Sequence, residues 1–231
     1  VIDSGITSWH DDLTGGGSLQ RVDAFVDFVN GRDTAYDDYG HGTHVAGIIA
    51  GNGMDSSGAR SGIAPNARLI VLKALDGTGT GRISDVIDAM HYVLVNRAAL
   101  NIRVVNMSVA TGVYESYDDD PLARAAQRLV KAGVVVVAAS GNYGHDSQGR
   151  IIYGGVTAPG NAPWVLTVGA SSHMGTVDRS DDRLAGFSSR GPTAIDLAAK
   201  PDLLAPGVGI ESLSDPGSAF YTTQSPYLLE G

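Results

Sequence analysis

The 231-residue chain has no cysteine, which excludes disulfides, thiolate nucleophiles, iron–sulfur clusters and cysteine-ligated zinc. Positive charge is also scarce, since 16 lysines and arginines stand against 25 aspartates and glutamates and leave a formal net charge of −9. A surface of this sign repels phosphate backbones, so we expect no nucleic-acid partner. No run approaches the roughly 18 consecutive apolar residues that a membrane-spanning helix needs, and we therefore predict no membrane span.

What the chain does contain is the composition of a globular protein with many tight turns. Hydrophobic residues make up 43% and charged residues 18%, a balance that supports a sizeable core. Glycine, with 31 residues, exceeds its ordinary share and is spread in separate clusters, which indicates many turns and close backbone approaches. At roughly 150 residues per domain, the length favours one large domain, which we place over residues 1–231.

Short β-branched runs alternate with helical patterns along much of the chain. We predict strands at residues 69–72, 102–107, 133–139 and 164–169, because each run is apolar and is bounded by Gly, Asn or Pro. Apolar residues at helical spacing predict helices at 84–100 and 121–131, the second with Asp120 as cap and a proline at its first position. Residues 143–160 and 171–231 are rich in turn formers and predict loops, turns and short strands. Strands joined by crossover helices predict an α/β fold, namely a three-layer, open, mostly parallel sheet with helices on both faces.

Three polar residues stand where a strand is predicted to end or a helix to begin. Asp3 precedes a Ser-Gly turn, His41 opens an apolar helix of small residues, and Asn142 follows the valine-rich strand at 133–139. Taken singly, aspartate and asparagine at strand ends are ordinary turn residues. In open parallel sheets, however, ligands bind beyond the carboxyl ends of the strands, so this is also where functional side chains are expected.

Together these three side chains have the chemistry of proton transfer to and from a hydroxyl nucleophile. A buried carboxylate at Asp3 accepts the Nδ1 proton of His41 and leaves Nε2 free to take a proton. An oxyanion needs preorganised hydrogen-bond donors, and the amide of Asn142 beside a glycine is one way to supply them. The sequence therefore predicts Asp3, His41 and Asn142 as one catalytic site.

In motifs that run along nearly its whole length, the chain resembles the subtilisin-like serine proteases, the subtilase family. The aspartate motif is matched by Val-Ile-Asp-Ser-Gly-Ile at 1–6, the histidine motif by Gly-His-Gly-Thr-His-Val-Ala-Gly at 40–47, and the oxyanion motif by Ala-Ala-Ser-Gly-Asn at 138–142. Further matches are Asn-Met-Ser at 106–108, Ala-Pro-Gly at 158–160, Phe-Ser-Ser-Arg-Gly-Pro at 187–192 and Lys-Pro-Asp at 200–202. The resemblance implies a subtilisin-like fold and the hydrolysis of peptide bonds through an Asp-His-Ser triad and an acyl-enzyme.

The resemblance also implies a role for each matched position. Asp3 would orient His41, His41 would be the general base and acid, Asn142 would donate to the oxyanion, and His44 would be structural. The implied substrate-binding residues are Gly79, Thr80, Gly81, Ser108, Val109, Ala110 and Gly141. The segments 79–81 and 108–110 would pair with the backbone of an extended peptide, although the family usually has glycine at the position of Ala110. Small uncharged residues at 108–110 and 139–141 would line an apolar slot, so we predict a large apolar side chain before the scissile bond.

The nucleophile of the family lies in a Gly-Thr-Ser-Met-Ala motif, which these 231 residues do not contain. The neighbours of Ser218 and Ser225 match neither that motif nor a helix start, so we assign neither serine. We therefore expect a partial peptidase domain, truncated at both ends, whose nucleophilic serine lies outside the given chain. We expect the chain alone to hydrolyse no peptides, and whether Gly231 belongs to the missing motif stays open.

Three alternatives compete with the protease. The segment Asp-Gly-Thr-Gly-Thr-Gly at 76–81 lies between a predicted strand and a predicted helix, as phosphate loops do, but lacks the P-loop lysine and the full Gly-x-Gly-x-x-Gly pattern. A zinc hydrolase using His41 and His44 would lack the His-Glu-x-x-His motif and a third ligand. A catalytically inactive, subtilase-like peptide-binding module is the main alternative, although Asp3, His41 and Asn142 are all present.

The expected partner is a peptide or protein substrate, with the protein's own pro-segment as an inhibitor, and the resemblance implies secretion to the extracellular space. No catalytic metal or cofactor is predicted. A structural calcium ion stays open, because subtilases often hold calcium in surface loops and Asn52, Asp55 and Asp181-Asp182 carry suitable oxygens without a diagnostic spacing.

Overall fold

The computed structural model of the chain describes residues 1–15, 17 and 19–228, so the question about Gly231 lies outside the described residues. The chain divides into two compact units, Val1–Ala89 with Glu211–Gly231, and Met90–Ile210. None of the helices in the described part of the chain combines the length and the hydropathy needed to cross a membrane.

The described residues form eight strands, four α-helices and three short 3-10 helices. The strands are β1 (Ile2–Asp3), β2 (Val22–Asp27), β3 (Leu69–Lys73), β4 (Val104–Met107), β5 (Val135–Ala139), β6 (Leu166–Ser172), β7 (Arg183–Leu184) and β8 (Leu203–Pro206). The helices are α1 (His41–Ala50), α2 (Ile83–Asn96), α3 (Pro121–Lys131) and α4 (Ala219–Thr223). The boundary between the two units falls inside α2.

The first unit is built on three parallel strands, with β3 between β1 and β2. The register places Asp3 of β1 opposite Lys73 of β3, and Asp27 of β2 opposite the same Lys73. All three strands therefore end at one carboxyl edge, where the two aspartates and the lysine stand side by side. An apolar cluster of fully or nearly fully buried side chains forms the core of this unit, namely Ile6, Leu13, Ala46, Ala50, Leu69 and Val71.

The second unit is also mostly parallel. β5 pairs in parallel with β4 and with β6, β8 pairs in parallel with β6, and β7 alone runs antiparallel. Helix α3 begins as predicted, with Pro121 in its first turn and the carboxylate of Asp120 accepting the backbone N–H of Ala123 at 2.8 Å. The indole N–H of Trp164 then donates to the carbonyl of Ala123 at 2.9 Å. This bond ties the first turn of the helix to the segment that leads into β6.

Predicted and observed elements agree in order and type, and differ at their ends. The four predicted strands appear as β3 to β6, and the two predicted crossover helices appear as α2 and α3. Helix α2 ends at Asn96, four positions before the predicted end at residue 100. The structure adds one strand that the pattern of the sequence does not predict, β2, whose run Val-Asp-Ala-Phe-Val-Asp is interrupted by an aspartate. The prediction of an open, mostly parallel sheet is thus met within each unit.

Candidate active site

The carboxylate of Asp3 and the imidazole of His41 form a hydrogen bond in the first unit. Nδ1 of His41 lies 2.7 Å from Oδ1 of Asp3, and the same oxygen accepts the backbone N–H of Ser4 at 2.8 Å. Asp3 is fully buried, whereas 31% of the His41 side chain is exposed. Because a carboxylate only accepts, the proton lies on Nδ1 and the neutral imidazole presents Nε2 as its basic nitrogen. The second oxygen of Asp3, Oδ2, is buried and has no partner among the described residues.

The surroundings of His41 favour its protonated form. Burial by itself lowers the pKa of His41, but the hydrogen bond to Asp3 and the negative charges of Asp3 and Asp37 outweigh it, so that the pKa is raised above its ordinary value near 6.5. A histidine tuned in this way is a stronger base than a free imidazole, and it stabilises the imidazolium that forms when it takes a proton.

A second buried aspartate, Asp37, fixes the start of α1 next to the end of β1. One oxygen of Asp37 accepts the hydroxyl of Ser4 at 2.9 Å and the N–H of Gly40 at 2.8 Å. The other oxygen accepts the N–H and the hydroxyl of Thr43, at 2.8 and 2.7 Å. This carboxylate therefore caps the helix that begins with His41 and holds the residue that follows Asp3.

The structure gives a local physical reason for the residue type at three positions of the histidine motif. Gly40 has φ 104, a left-handed conformation that favours glycine. A Cβ on Gly42 would lie 2.2 Å from the carbonyl oxygen of Gly5, so only glycine allows α1 to approach the loop after β1 this closely. The hydroxyl of Thr43 accepts the N–H of Thr7 at 2.9 Å and adds a further link to the same loop.

The ammonium group of Lys73 lies on the same carboxyl edge and is fully buried. It donates to the carbonyl of Ser4 at 2.5 Å, to the carboxylate of Asp38 at 2.6 Å and to the carbonyl of Leu75 at 2.8 Å. A buried charge is tolerated only when its hydrogen bonds are made, and Lys73 makes three. It thereby joins the end of β1, the loop before His41 and the loop after β3.

The predicted substrate segment at Gly79, Thr80 and Gly81 is part of a tight turn organised by Asp76. The hydroxyl and N–H of Thr78 and the N–H of Thr80 bond the Asp76 carboxylate and lower its pKa to about 2. The carbonyl of Thr80 accepts the N–H of Asp76, and the N–H of Gly79 donates to the carbonyl of Asp76. Within the described part of the chain, the backbone groups of this segment left for a peptide are the carbonyl of Gly79 and both groups of Gly81.

The predicted substrate segment at Ser108, Val109 and Ala110 directly follows β4 in the second unit. Val109 is buried and anchors the segment, while Ala110 is exposed. The described residues provide no backbone hydrogen-bond partner for positions 108–110, whereas the next residue, Thr111, forms an antiparallel bridge with Ala158. The backbone of 108–110 is therefore available to an added strand.

Asn142 and Gly141 follow β5 in the second unit and are held by Ser189. The carbonyl of Gly141 accepts the N–H of Ser189 at 3.0 Å, and the Ser189 hydroxyl accepts the N–H of Tyr143 at 3.0 Å. Gly141 has φ 100, and a Cβ there would lie 2.7 Å from the methyl group of Thr157. The side chain of Asn142 is exposed, and its amide makes no hydrogen bond with the described residues. The backbone on both sides of Asn142 is thus fixed while its amide stays available.

Ser218, which the sequence does not place at a helix start, is the N-cap of α4. Its hydroxyl donates to the carbonyl of Asp215 at 2.7 Å and accepts the N–H of Tyr221 at 3.2 Å. The prediction that the neighbours of Ser218 do not match a helix start is therefore wrong, because Ser218 is followed by one short helical turn whose N–H at Tyr221 it accepts. With 1% of its surface exposed and both bonds made, Ser218 is a structural residue.

The competing metal and nucleotide hypotheses have little support at these positions. In the 76–81 loop, the N–H groups of Thr78 and Thr80 bond the carboxylate of Asp76, which occupies the place that a phosphate would need. Among the described residues, the one group of three or more metal-ligating side chains is His10, Asp11, Asp12 and Asp55, which includes neither His41 nor His44.

That group has ligand atoms within 4.8 Å of one another and includes Asp55, which the sequence names for calcium. Its carboxylates suit a hard cation, whereas the imidazole of His10 is a poor calcium ligand, so the donor set fits calcium in part. Asn52 stands beside the group in another role, donating its side-chain amide to the carbonyl of Thr14 at 2.9 Å. The question of a structural calcium ion stays open.

The chain is similar in sequence to known serine proteases. The chain is 41% identical over 223 residues to serine protease AprX of Bacillus subtilis strain 168, covering 94% of this chain and 48% of that protein. It is 37% identical over 215 residues to subtilisin E of the same strain, covering 92% and 47%. The chain thus spans about half the length of these two curated relatives.

Solved structures show the same fold. The S41 psychrophilic protease superposes with a TM-score of 0.72 at 29% identity, over 94% of this chain and 68% of that one. Sphericase superposes with a TM-score of 0.74 at 26% identity, over 94% and 68%. These likenesses confirm the predicted three-layer α/β, subtilisin-like fold class. A family model described as the subtilase family matches residues 1–228, and the chain belongs to that family.

Proposed function

We propose that this chain is part of a serine endopeptidase in which Asp3 and His41 form the proton relay. The observation that carries the proposal is the 2.7 Å hydrogen bond between the buried carboxylate and Nδ1 of His41, in a chain of the subtilase family. A fully buried carboxylate with an imidazole at a helix start is the arrangement that a general base needs, because it fixes the tautomer and stabilises the imidazolium.

In the proposed reaction, Nε2 of His41 takes the proton of a serine hydroxyl while the serine oxygen attacks the peptide carbonyl carbon. The tetrahedral intermediate carries its negative charge on the former carbonyl oxygen, to which the Asn142 amide donates a hydrogen bond. His41 then gives its proton to the leaving amine, and the acyl-enzyme is hydrolysed by water through the same base. Asp3 stays ionised throughout and orients the imidazole.

The nucleophilic serine is proposed to belong to residues that this sequence does not contain. The 231 residues contain no Gly-Thr-Ser-Met-Ala motif, Ser218 has a structural role, and relatives such as AprX are about twice as long as the matched segment. On this proposal the 231 residues alone hydrolyse no peptides.

The substrate is proposed to be an extended peptide or protein. The unpaired backbone of Ser108–Ala110 supports main-chain pairing with a bound peptide, together with the remaining backbone groups of Gly79 and Gly81. The ends of β4 and β5, which are paired in the second unit, lead into the small residues 108–110 and 139–141. We expect a large apolar side chain to bind there, next to the scissile bond. Secretion and inhibition by a pro-segment are further parts of the proposal and depend on family membership.

The test is hydrolysis of an unfolded protein and of chromogenic peptides by the full-length protein. We expect cleavage after large apolar residues, loss of cleavage in His41→Ala, and unchanged cleavage in the matched control His91→Ala, whose side chain is exposed in α2. Binding of the same peptides without cleavage by the wild type would contradict the protease and favour the inactive peptide-binding module.

A further inference from the structure

Two aromatic side chains that the proposed reaction does not use lie next to His41. The ring centroids of Tyr39 and Phe220 are 4.7 Å apart at an interplanar angle of 55°. The imidazole of His41 is 6.1 Å from the Phe220 ring in an edge-to-face arrangement at 90°, and 6.5 Å from the Tyr39 ring at 36°. These separations lie in the range of 4.5–7 Å in which aromatic rings attract each other. Each of the three rings therefore contacts the other two.

The backbone fixes the position of Phe220 relative to the loop that leads into His41. The N–H of Ala219 donates to the carbonyl of Asp38, and the N–H of Phe220 donates to the carbonyl of Tyr39, both at 2.9 Å. Helix α4 begins at this point, capped by Ser218. The phenyl ring is thus presented by a hydrogen-bonded turn rather than by a free chain.

The approach of this turn to the residue before His41 is as close as glycine allows. A Cβ built on Gly40 would lie 2.6 Å from the hydroxyl oxygen of Ser218 and 2.9 Å from Cβ of Phe220. The glycine that precedes His41 in the histidine motif therefore leaves room for the Ser218–Phe220 turn. A larger residue at position 40 would displace the phenyl ring from His41.

The Tyr39 ring is held by a second segment. A Cβ on Gly79 would lie 2.4 Å from Cζ of Tyr39, so the turn organised by Asp76 packs its backbone against this ring. Tyr39 therefore contacts both Gly79 and Phe220 and has little room to rotate.

We propose that Tyr39 and Phe220 are positioning residues that hold the imidazole of His41 in the orientation in which Nδ1 donates to Asp3. A single hydrogen bond at Nδ1 fixes a distance but leaves the ring free to rock about it, and the partly exposed imidazole has water as a competing partner. Two rings in contact with the imidazole restrict that motion, so the Nδ1 proton leaves Asp3 and exchanges with water less often. The catalytic consequence of this role depends on the proposed function of His41 as general base.

Loss of one ring is expected to affect the chemical step more than substrate binding. In Phe220→Ala and Tyr39→Ala, Asp3 and His41 remain but the imidazole is less well oriented. We expect kcat to fall about tenfold, less than the 10²-fold that a 1 Å misplacement can cost, with KM changed less than twofold. Phe220→Leu keeps an apolar group against His41 and is expected to retain most of kcat.

The experiment measures the Nδ1 proton of His41 by NMR in the full-length protein, together with kcat, KM and the melting temperature. The proton signal is assigned by its absence in His41→Gln. We expect a resolved signal in the wild type and in Phe220→Leu, and a signal broadened by exchange with water in Phe220→Ala and Tyr39→Ala. Tyr227→Ala removes an 80% exposed aromatic ring from the same region and is the matched control, with no expected change.

The outcomes separate this inference from the proposed function. If both alanine variants fold and keep the signal and kcat, the positioning role is wrong, and a rise in KM at constant kcat would also overturn it in favour of substrate binding. If the wild type cleaves no peptide but the signal still broadens in the alanine variants, the positioning role holds and the proposed function fails. Tyr39→Ala tests the contact independently should Phe220→Ala not fold.

Discussion

The surroundings of His41 and those of Asn142 differ in how far their hydrogen bonds are already made. His41 stands in a closed network in the first unit, where Asp3 and Asp37 accept six hydrogen bonds of 2.7–2.9 Å. Asn142, in the second unit, has a fixed backbone on both sides and an exposed amide without a partner among the described residues. The difference matches the two proposed roles: a base must be oriented before substrate arrives, whereas an oxyanion donor needs a free N–H.

The largest expected effect is that of removing the proposed base. His41→Ala in the full-length protein removes the group that we propose takes the serine proton, so we expect kcat to fall by about 10⁶-fold. Peptide affinity should be retained, because the proposed substrate-binding residues do not include His41. The measurement is kcat from single-turnover kinetics, alongside the dissociation constant of a non-cleavable peptide. Retained turnover in His41→Ala would show that another group is the base.

Removing the carboxylate of Asp3 is expected to cause the next largest fall in kcat. Asp3→Asn removes the negative charge and replaces the acceptor at Nδ1 with an amide, so we expect kcat to fall by about 10⁴-fold through the wrong tautomer. In the remaining activity, the rise of kcat/KM with pH should occur at lower pH than in the wild type, because the pKa of His41 is no longer raised by Asp3.

The wild-type pH profile is the reference for that variant. Since the His41 pKa is raised, kcat/KM should increase with pH through a value above 6.5, where the base loses its proton. By linkage, the stability that this pair adds is present at pH values below about 6.5 and is lost as pH rises through the raised pKa. An acid limb below 6.5 in the wild type would contradict the described environment.

Asn142 is expected to matter for catalysis and hardly at all for stability. Asn142→Ala should lower kcat by about 10²–10³-fold, the range typical of removing one oxyanion donor in an enzyme of this family, with a smaller change in KM. Because the side chain is exposed and unpartnered, the free energy of unfolding should change by less than about 0.5 kcal/mol. An equal loss in kcat and in substrate affinity would argue against the oxyanion role.

Unlike Asn142, Asp37 is expected to affect mainly the free energy of unfolding. Asp37→Asn turns one of its acceptor oxygens into a donor that faces either Ser4 and Gly40 or Thr43, so buried hydrogen bonds are lost on one side. We expect the free energy of unfolding to fall by about 2–4 kcal/mol, measured by urea denaturation. A change as small as that of Asn142→Ala would show that the network is not needed to hold α1.

The smallest expected effect concerns the turn at residues 76–80. Asp76→Ala removes the acceptor that organises Thr78 and Thr80, so the backbone of Gly79 and Gly81, which we propose binds a peptide, should become less well ordered. KM should rise several-fold with kcat nearly constant, because the lost order affects binding rather than chemistry. Thr78→Ser keeps the hydroxyl that bonds Asp76 and is the matched control.

The sequence predicts the fold and the contact between Asp3 and His41 well, because both follow from local patterns. Runs such as residues 133–139 and the helix at 121–131 carry their own periodicity and caps, and the histidine motif is long enough to be recognised. Strand β2 is not predicted because its run, interrupted by an aspartate, has no clear period; in the structure it pairs in parallel with β3. Its neighbours on the sheet, and not its own residues, make it a strand.

The parts of the site that sequence reasoning missed are contacts between distant positions. Ser4 and Asp37 are 33 residues apart, and Lys73 reaches the carbonyl of Ser4 across 69 residues. Phe220 meets His41 through a turn whose only local signal is the cap at Ser218. No spacing or periodicity in the sequence predicts such pairs. The one sign in the sequence that Asp37 has a role is its position, four residues before the histidine at which a helix begins.

The most direct test of the central claim is to label the full-length protein with a serine-directed phosphonate and to map the modified residue by mass spectrometry. We predict one labelled serine, located outside the 231 residues of this sequence, and loss of labelling in His41→Ala with normal labelling in His91→Ala. Labelling of a serine within residues 1–231, or undiminished labelling in His41→Ala, would contradict it.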